Sequence, residues 1–194
     1  MLYLGLARDE RVAARAGFAW GCAEGLFFFI VPDVFVTFAG LYSLRAGAVA
    51  WGASIAGSLA AVCVIYLLTA MAGPAYVTFI GHIPGISGGM IHGVGQWLRA
   101  GLPYTPWLIM GGVPLKVYAG IALAQGTGIG AVLLWTVFAR IVRIAPIYLL
   151  VVVARLVFRR SIDVRPGAWC VALATVWTVF YIYYFVAMSR RIWS

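Results

Sequence analysis

The chain has 194 residues, of which 64% are hydrophobic and only 10% are charged, and its formal net charge is +9. A soluble domain of this composition would expose too much apolar surface, so the sequence predicts a single membrane domain over residues 1–194. The basic residues stand in short clusters between apolar runs, which indicates cytoplasmic loops that face lipid headgroups and argues against nucleic acid as a partner.

The first segment, residues 1–20, is predicted to be an amphipathic helix. Arg8, Arg11 and Arg15 recur at helical spacing among apolar residues. This pattern is typical of a helix that lies on the membrane surface with its arginines toward phosphates. The same segment would also serve as a flanking anchor for the next one, and the sequence leaves both interpretations open.

The second segment, residues 21–73, begins with an interrupted apolar stretch. Residues 24–40 read EGLFFFIVPDVFVTFAG, with the acids Glu24 and Asp33 and the helix breaker Pro32. A charge at membrane depth costs at least about 3 kcal/mol, and proline removes a backbone hydrogen bond. Residues that are this unfavourable in a membrane usually have a function, so the stretch is a candidate functional site.

Two regions without a candidate functional site follow this stretch. Residues 47–72 carry no charge and predict a membrane span, whose glycine and alanine faces permit close helix packing and a homodimer. Residues 74–101 are rich in glycine and predict an interfacial linker. Its histidines, His82 and His92, are ten residues apart without a nearby acid, so we expect no metal and no cofactor.

A second interrupted half is predicted over residues 102–158. It is broken at Pro114, and its later part, residues 127–157, is too long for one simple span. Residues 168–188 then predict a C-terminal span rich in aromatic side chains. Three basic residues lie within the second half: Lys116, Arg140 and Arg143.

An internal repeat emerges when the sequence is shifted by 82 residues. Val31-Pro32 then aligns with Val113-Pro114, and an Ala-Gly pair follows each at nearly the same spacing. The predicted hairpin-breaking residues are Pro32, Gly40, Pro114 and Gly120. If both interrupted segments enter and leave by one face, the halves have opposite orientations, as in many transporters. We therefore predict an all-α polytopic membrane protein with two re-entrant broken-helix hairpins in an inverted repeat, plus three to four transmembrane helices.

The distribution of arginines predicts the orientation. A cytoplasmic N-terminus places most of the arginine clusters inside, which favours N-in and C-out, although Arg190 and Arg191 would then lie outside. We expect an integral protein of the bacterial inner (plasma) membrane.

The charged residues within the predicted membrane segments differ between the two halves of the chain. The first half has acids and the second half has bases. Single charges that face lipid are unfavourable, so we expect both sets to meet in one polar centre. There Glu24 and Asp33 would serve transport and proton coupling, and Lys116, Arg140 and Arg143 would bind a phosphate headgroup. The alternative is that buried ion pairs only fix how the halves pack, with Arg143 extending toward an interface.

At these residues the sequence resembles the DedA superfamily, also called VTT-domain or SNARE-associated Golgi proteins. Glu24, then Val31-Pro32-Asp33 and Ala39-Gly40, is similar to the family's Glu, Pro-x-Pro-Gly/Ser-Glu/Asp and Ala-Gly. The strings GVPLKVYAG and ARIVR are similar to its Pro-x-x-Lys/Arg and Gly-Arg-x-x-Arg elements. The resemblance covers most of residues 20–150.

The chain also departs from the family pattern. Many members have an arginine before the second proline, where this chain has Gly111 and Gly112, and its second basic position is Lys116. The first motif has one proline where the family often has two. Lysine is a compact charge without the bidentate fork of arginine, which puts the headgroup preference in doubt.

The resemblance implies two facing re-entrant hairpins and the scrambling or flipping of phospholipids, or recycling of an undecaprenyl-phosphate carrier. The charged residues favour a lipid or lipid-phosphate translocase, passive or proton-coupled, that supports membrane homeostasis. Its partners would be membrane lipids with anionic or phosphate-bearing headgroups, and protons. The alternatives are a small-ion or drug/proton antiporter and a structural protein without transport. No nucleophile and base stand at a catalytic spacing, so we do not expect an enzyme.

Overall fold

The computed structural model describes residues 9–27, 30–83, 85–100 and 113–192, and the secondary structure of these residues is entirely helical. Residues 101–112, which begin the predicted second half and include Gly111 and Gly112, lie outside the described residues. The helices are α1 (Glu10–Leu26), α2 (Asp33–Tyr42), α3 (Leu44–Ala72), α4 (Pro74–Ile80), α5 (Gly88–Arg99), α6 (Leu115–Ala124), α7 (Ile129–Val157), α8 (Arg159–Val164) and α9 (Pro166–Ile192).

Within the described residues, three helices are long and apolar enough to cross a membrane: α3, α7, and α9 over Pro166–Val186. The chain is therefore an integral membrane protein, and its described part is helical. Helix α7 is continuous through Pro146, although its sequence appeared too long for one simple span. Its 29 residues extend about 43 Å, which exceeds the ~30 Å hydrocarbon core and leaves room for tilt.

The two ten-residue helices, α2 and α6, each begin directly after a Val-Pro pair. Pro32 and Pro114 are the residues that precede these helices, where proline's missing N–H removes no intrahelical hydrogen bond. Each helix is about 15 Å long, half the thickness of the hydrocarbon core. A 29-residue span follows each of them in the chain.

Gly40 and Gly120 have a different role from the predicted one. Both lie inside helices, in α2 and α6, and not at a break. A Cβ atom on Gly40 would meet the Tyr148 ring at 3.1 Å and Val151 at 3.2 Å, and one on Gly120 would overlap the ring of Tyr76. A helix tolerates glycine when close packing requires it, so these residues allow neighbouring elements to approach α2 and α6.

Helix α1 packs closely along α3. It begins after Asp9, whose side chain accepts a hydrogen bond from the Arg11 amide at 2.8 Å, and it continues past the predicted end at residue 20. Gly17 and Gly21 face the backbone of α3 at Ala50 and Ser54 so closely that an added Cβ would overlap its carbonyl oxygens. The helix faces made of small residues within 47–72 therefore pack against α1.

We expect Gly21→Ala to destabilise the fold. The new methyl group would overlap the Ser54 carbonyl, and overpacking of this kind costs about 1–3 kcal/mol. The midpoint of thermal unfolding in detergent measures the effect. Gly52→Ala is the matched control, because Gly52 lies in α3 with nothing within 4 Å of an added Cβ, and alanine there raises helix propensity by about 1 kcal/mol. Equal midpoints for the two variants would contradict the proposed packing.

The predicted linker folds back on α6. Its two helices, α4 and α5, pack around this helix in a core that includes Tyr76, Ile80 and Val94. Ser87 caps α5 by accepting a hydrogen bond from the Met90 amide at 3.1 Å. As a result, residues 115–122 of α6 are all buried, and the charged residue among them is held away from lipid.

Candidate functional site

The structure brings together all five charged residues that the sequence placed in one polar centre. Arg140 Nη2 of α7 donates to Glu24 Oε2 near the end of α1, and the two side chains are 3% and 5% exposed. One turn along α7, Arg143 Nε donates to Asp33 Oδ2 at 3.1 Å, with Asp33 2% and Arg143 21% exposed. We call these residues, with Lys116, the charged centre.

The acids reach the centre because the chain breaks between α1 and α2. Glu24 lies in the last turn of α1 and Asp33 is the first residue of α2, so the break turns both carboxylates toward α7. Arg140 and Arg143 lie three residues apart, which places them on one face of that helix. The ion pairs therefore join the predicted first half to the second.

Lys116 is fully buried in the first turn of α6. Its Nζ donates to the main-chain oxygen of Glu24 at 3.0 Å. The last carbonyls of a helix have no partner within the helix, and a cation near them is favourable. Lys116 thus links α6 to the end of α1, directly beside the Glu24–Arg140 pair.

The described charged centre contains three bases and two acids, a formal excess of one positive charge. The partial charges at helix termini add to the charges of these side chains. Asp33 at the start of α2 is stabilised by the positive end of the helix, whereas Lys116 at the start of α6 adds its charge to another positive end. The N-terminus of α6 is therefore more electropositive than that of α2, and it favours an anion.

One carboxylate oxygen of the centre is not satisfied. Asp33 Oδ1 is buried and has no hydrogen-bond partner among the described residues, whereas its Oδ2 binds Arg143. A buried carboxylate oxygen without a donor is unfavourable.

Aromatic residues around the break were not predicted as part of the site. Tyr181 of α9 accepts a hydrogen bond from the Val31 amide at 2.8 Å, and Trp20 Nε1 donates to the Ile30 carbonyl at 2.7 Å. Trp177 Nε1 donates to Thr37 Oγ1 at 2.9 Å. These bonds satisfy non-helical backbone and polar groups at membrane depth. The four-residue spacing that places Trp177 and Tyr181 on one helix face is visible in the sequence, but their hydrogen-bond partners are not.

A crevice of about 10 Å³ lies within the charged centre. This volume suits about one water molecule. It is lined by Glu24, Val113, Leu115, Thr136, Ala139, Arg140 and Arg143. This space is too small for a group much larger than water, although Arg143 itself is 21% exposed.

The histidines of the linker are engaged locally. His82 Nδ1 is 2.9 Å from the Thr78 carbonyl oxygen, and His92 Nε2 is 2.9 Å from the side-chain nitrogen of Gln96. In the part of the chain that the structure describes, no three His, Cys, Asp or Glu side chains are grouped to hold a metal ion.

Comparisons with known proteins add no assignment to this geometry. The chain matches no protein-family model, no curated protein and no solved structure.

Proposed function

We propose that the protein is a translocase for membrane lipids or lipid phosphates. The observation that carries the proposal is the charged centre itself, in which one buried ion pair, one partly buried ion pair and a buried lysine join helices from both halves of the chain. Ionisable groups at membrane depth are expensive and usually serve a substrate or ion pathway. A centre with one excess positive charge favours an anionic headgroup.

A phosphate would enter by replacing a carboxylate. Arginine binds phosphate and carboxylate with the same planar fork of donors, so the headgroup competes with Glu24 for Arg140 and with Asp33 for Arg143. The displaced acids would take up protons or move aside, and they would return when the headgroup leaves. The acyl chains would stay in the bilayer throughout, so no large enclosed pocket is required.

Two features support opposed re-entrant hairpins around this centre. Helices α2 and α6 have equal length and begin after the same Val-Pro pair, and each precedes a 29-residue span. Three crossings by α3, α7 and α9 would also place the segment before α3 and the segment after α9 on opposite sides, in keeping with N-in and C-out. We therefore propose the two facing hairpins that the resemblance to the DedA superfamily implies, in a bacterial inner membrane.

Leaflet exchange in liposomes tests the proposal. The purified protein is reconstituted with a fluorescent phospholipid in both leaflets, and a membrane-impermeant reductant reports how much label reaches the outer leaflet. We expect the wild type to expose the inner-leaflet label. The double variant Glu24→Gln/Arg140→Gln, which keeps a hydrogen-bonding pair but removes both charges, should lose this exchange.

The control for the double variant is Arg45→Gln. Arg45 pairs with Glu10 at 2.9 Å on the surface, where the side chains are 80% and 41% exposed, and such pairs contribute about 0–1 kcal/mol. Exchange should therefore persist in this variant. Wild-type protein that exchanges neither a phospholipid nor a polyprenyl phosphate, with or without a pH gradient, would contradict the proposal.

A second function, a proton-coupled antiporter for small ions or drugs, is favoured by Asp33 Oδ1, which is buried without a hydrogen-bond partner among the described residues. On this hypothesis the proton of Asp33 is exchanged for the cargo, and lipid identity has little effect. Proton flux into liposomes under a cation or drug gradient, followed with a pH-sensitive dye, distinguishes the two. We expect no such flux in the wild type; a flux abolished by Asp33→Asn would favour the antiporter.

A further inference from the structure

We propose that Arg143 of α7 and Tyr181 of α9 form a binding site for one phosphate group, and that this phosphate belongs to a membrane lipid. The inference rests on the proposed translocase function and deepens it, since it assigns the place where a headgroup binds before it displaces a carboxylate of the charged centre. We call these two residues the lateral phosphate site.

Arg143 has donors that the charged centre does not use. Its Nε donates to Asp33 Oδ2 at 3.1 Å, and among the described residues no acceptor binds its two terminal nitrogens. Neither of these nitrogens is buried, and the side chain is 21% exposed. The outer edge of the Arg143 guanidinium is therefore accessible, whereas the Arg140 side chain is only 3% exposed.

The accessible edge of Arg143 lies deep in the membrane. Arg143 is the central residue of α7 (Ile129–Val157), so about 21 Å of helix lie on either side of it. The middle of a bilayer is only ~15 Å from the edge of the hydrocarbon core, and the bond from Nε to Asp33 holds the side chain at its depth. Hydrocarbon offers a guanidinium no acceptor. The exposed donors therefore require a polar partner from outside the described residues.

Tyr181 supplies a further donor near this edge. Its hydroxyl accepts a hydrogen bond from the Val31 amide at 2.8 Å, and a phenol keeps one proton to donate. The side chain lies within electrostatic range of Arg143, Asp33 and Glu24. Because the Val31 amide fixes the hydroxyl at the break between α1 and α2, a ligand is not needed to position it.

A phosphate is the acceptor that suits these donors. The edge of a guanidinium binds two phosphate oxygens through parallel hydrogen bonds, and the phenol of Tyr181 can donate to a third oxygen. A water molecule would also accept, but it carries no charge. The described charged centre has one positive charge in excess, which favours an anion over water.

The surroundings of the site favour a lipid phosphate over a free ion. None of the residues Pro166–Val186 of α9 is buried, so lipid surrounds most of this helix in a membrane. The crevice that Arg143 lines has room for about one water molecule, which gives a free ion no aqueous path. A lipid beside α9 can bring its phosphate to Arg143 while its acyl chains stay in the bilayer.

Lipid binding to the full chain in detergent micelles tests the site. Native mass spectrometry measures how tightly phosphatidylglycerol is retained, and diacylglycerol with the same acyl chains is the probe without a phosphate. We expect the wild type to bind phosphatidylglycerol about tenfold more tightly than diacylglycerol. Equal binding of the two lipids would overturn the site, because water alone would then meet the exposed donors.

Two conservative variants test the named residues. Arg143→Lys keeps a positive charge beside Asp33 but removes the second edge of the guanidinium, and it should weaken phosphatidylglycerol binding about tenfold. Tyr181→Phe removes only the hydroxyl and should weaken it about threefold. The matched controls should bind as the wild type does: Arg160→Lys, at an exposed arginine, and Tyr183→Phe, at a tyrosine of α9 that is 72% exposed. Equal losses in a variant and its control would overturn the assignment.

Binding of diacylglycerol separates a phosphate contact from a structural effect. Tyr181 also holds the Val31 amide, so its loss could disturb the break between α1 and α2. We expect diacylglycerol binding to be the same in the wild type, Arg143→Lys and Tyr181→Phe. A parallel fall in the binding of both lipids would show that Tyr181 only positions the break, and would overturn its role as a donor to phosphate.

Inorganic phosphate and leaflet exchange complete the test. Inorganic phosphate should not displace phosphatidylglycerol from the wild type; displacement that disappears in Arg143→Lys would identify a free ion as the ligand and overturn the lipid. Lipid binding that depends on Arg143 in a protein without leaflet exchange would support the site and reject the translocase. Exchange at the wild-type rate in Arg143→Lys would overturn the site alone.

Discussion

Glu24→Gln is expected to destabilise the protein by about 3–5 kcal/mol, the usual effect of removing one partner from a buried ion pair. The variant leaves Arg140, which is 3% exposed, without a counter-ion at membrane depth. Glutamine preserves the size and one acceptor of the side chain, so the loss reports charge and not volume. A denaturation titration in mixed micelles, followed by tryptophan fluorescence, measures the change in the free energy of unfolding.

The double variant Glu24→Gln/Arg140→Gln separates the structural part of this pair from its functional part. Removing both charges avoids an uncompensated buried ion, so we expect the double variant to be more stable than Glu24→Gln alone. Leaflet exchange should nevertheless be absent in the double variant, because the Arg140 guanidinium that would bind the headgroup has been removed. If the double variant is stable and still exchanges lipid, the Glu24–Arg140 pair only fixes how the helices pack.

Lys116→Met is expected to reduce exchange of an anionic phospholipid by at least about tenfold while the fold is kept. Lys116 is one of the three bases of the described centre, and methionine has a similar length without its positive charge. The Glu24 carbonyl loses its hydrogen bond from Nζ, which costs about 1–3 kcal/mol. Part of this loss is offset because an ammonium group no longer has to be buried. Exchange rates in liposomes and the unfolding titration are measured on the same preparation.

Headgroup charge provides the internal control for Lys116→Met. The variant should slow exchange of phosphatidylglycerol more than exchange of phosphatidylcholine, because removal of a cation weakens attraction for a net negative headgroup most. Gly52→Ala, at a position in α3 where nothing lies within 4 Å of an added Cβ, should leave both rates unchanged. Equal rates for wild type and folded Lys116→Met would reject a role for Lys116 in headgroup binding.

Much of the site was predictable because the cost of burying charge is so large. An apolar chain with few charges cannot leave Glu24, Asp33 and Arg140 in contact with lipid, so their meeting follows from composition and hydropathy. The positions of Pro32 and Pro114 at helix starts follow equally from the missing proline N–H. The sequence determined, by itself, the membrane class, the positions of the main spans and the membership of the charged centre.

Tertiary structure decided which charges pair and what surrounds them. Pairing of Glu24 with Arg140, and of Asp33 with Arg143, depends on the angle at which α1 and α2 meet α7, and hydropathy carries no information on that angle. The internal repeat assigns Gly40 and Gly120 to breaks because an Ala-Gly pair follows each Val-Pro pair, yet Gly40 serves close packing against Tyr148. The hydrogen bond from Val31 to Tyr181 joins residues 150 positions apart, and such a contact exists only once the helices are assembled.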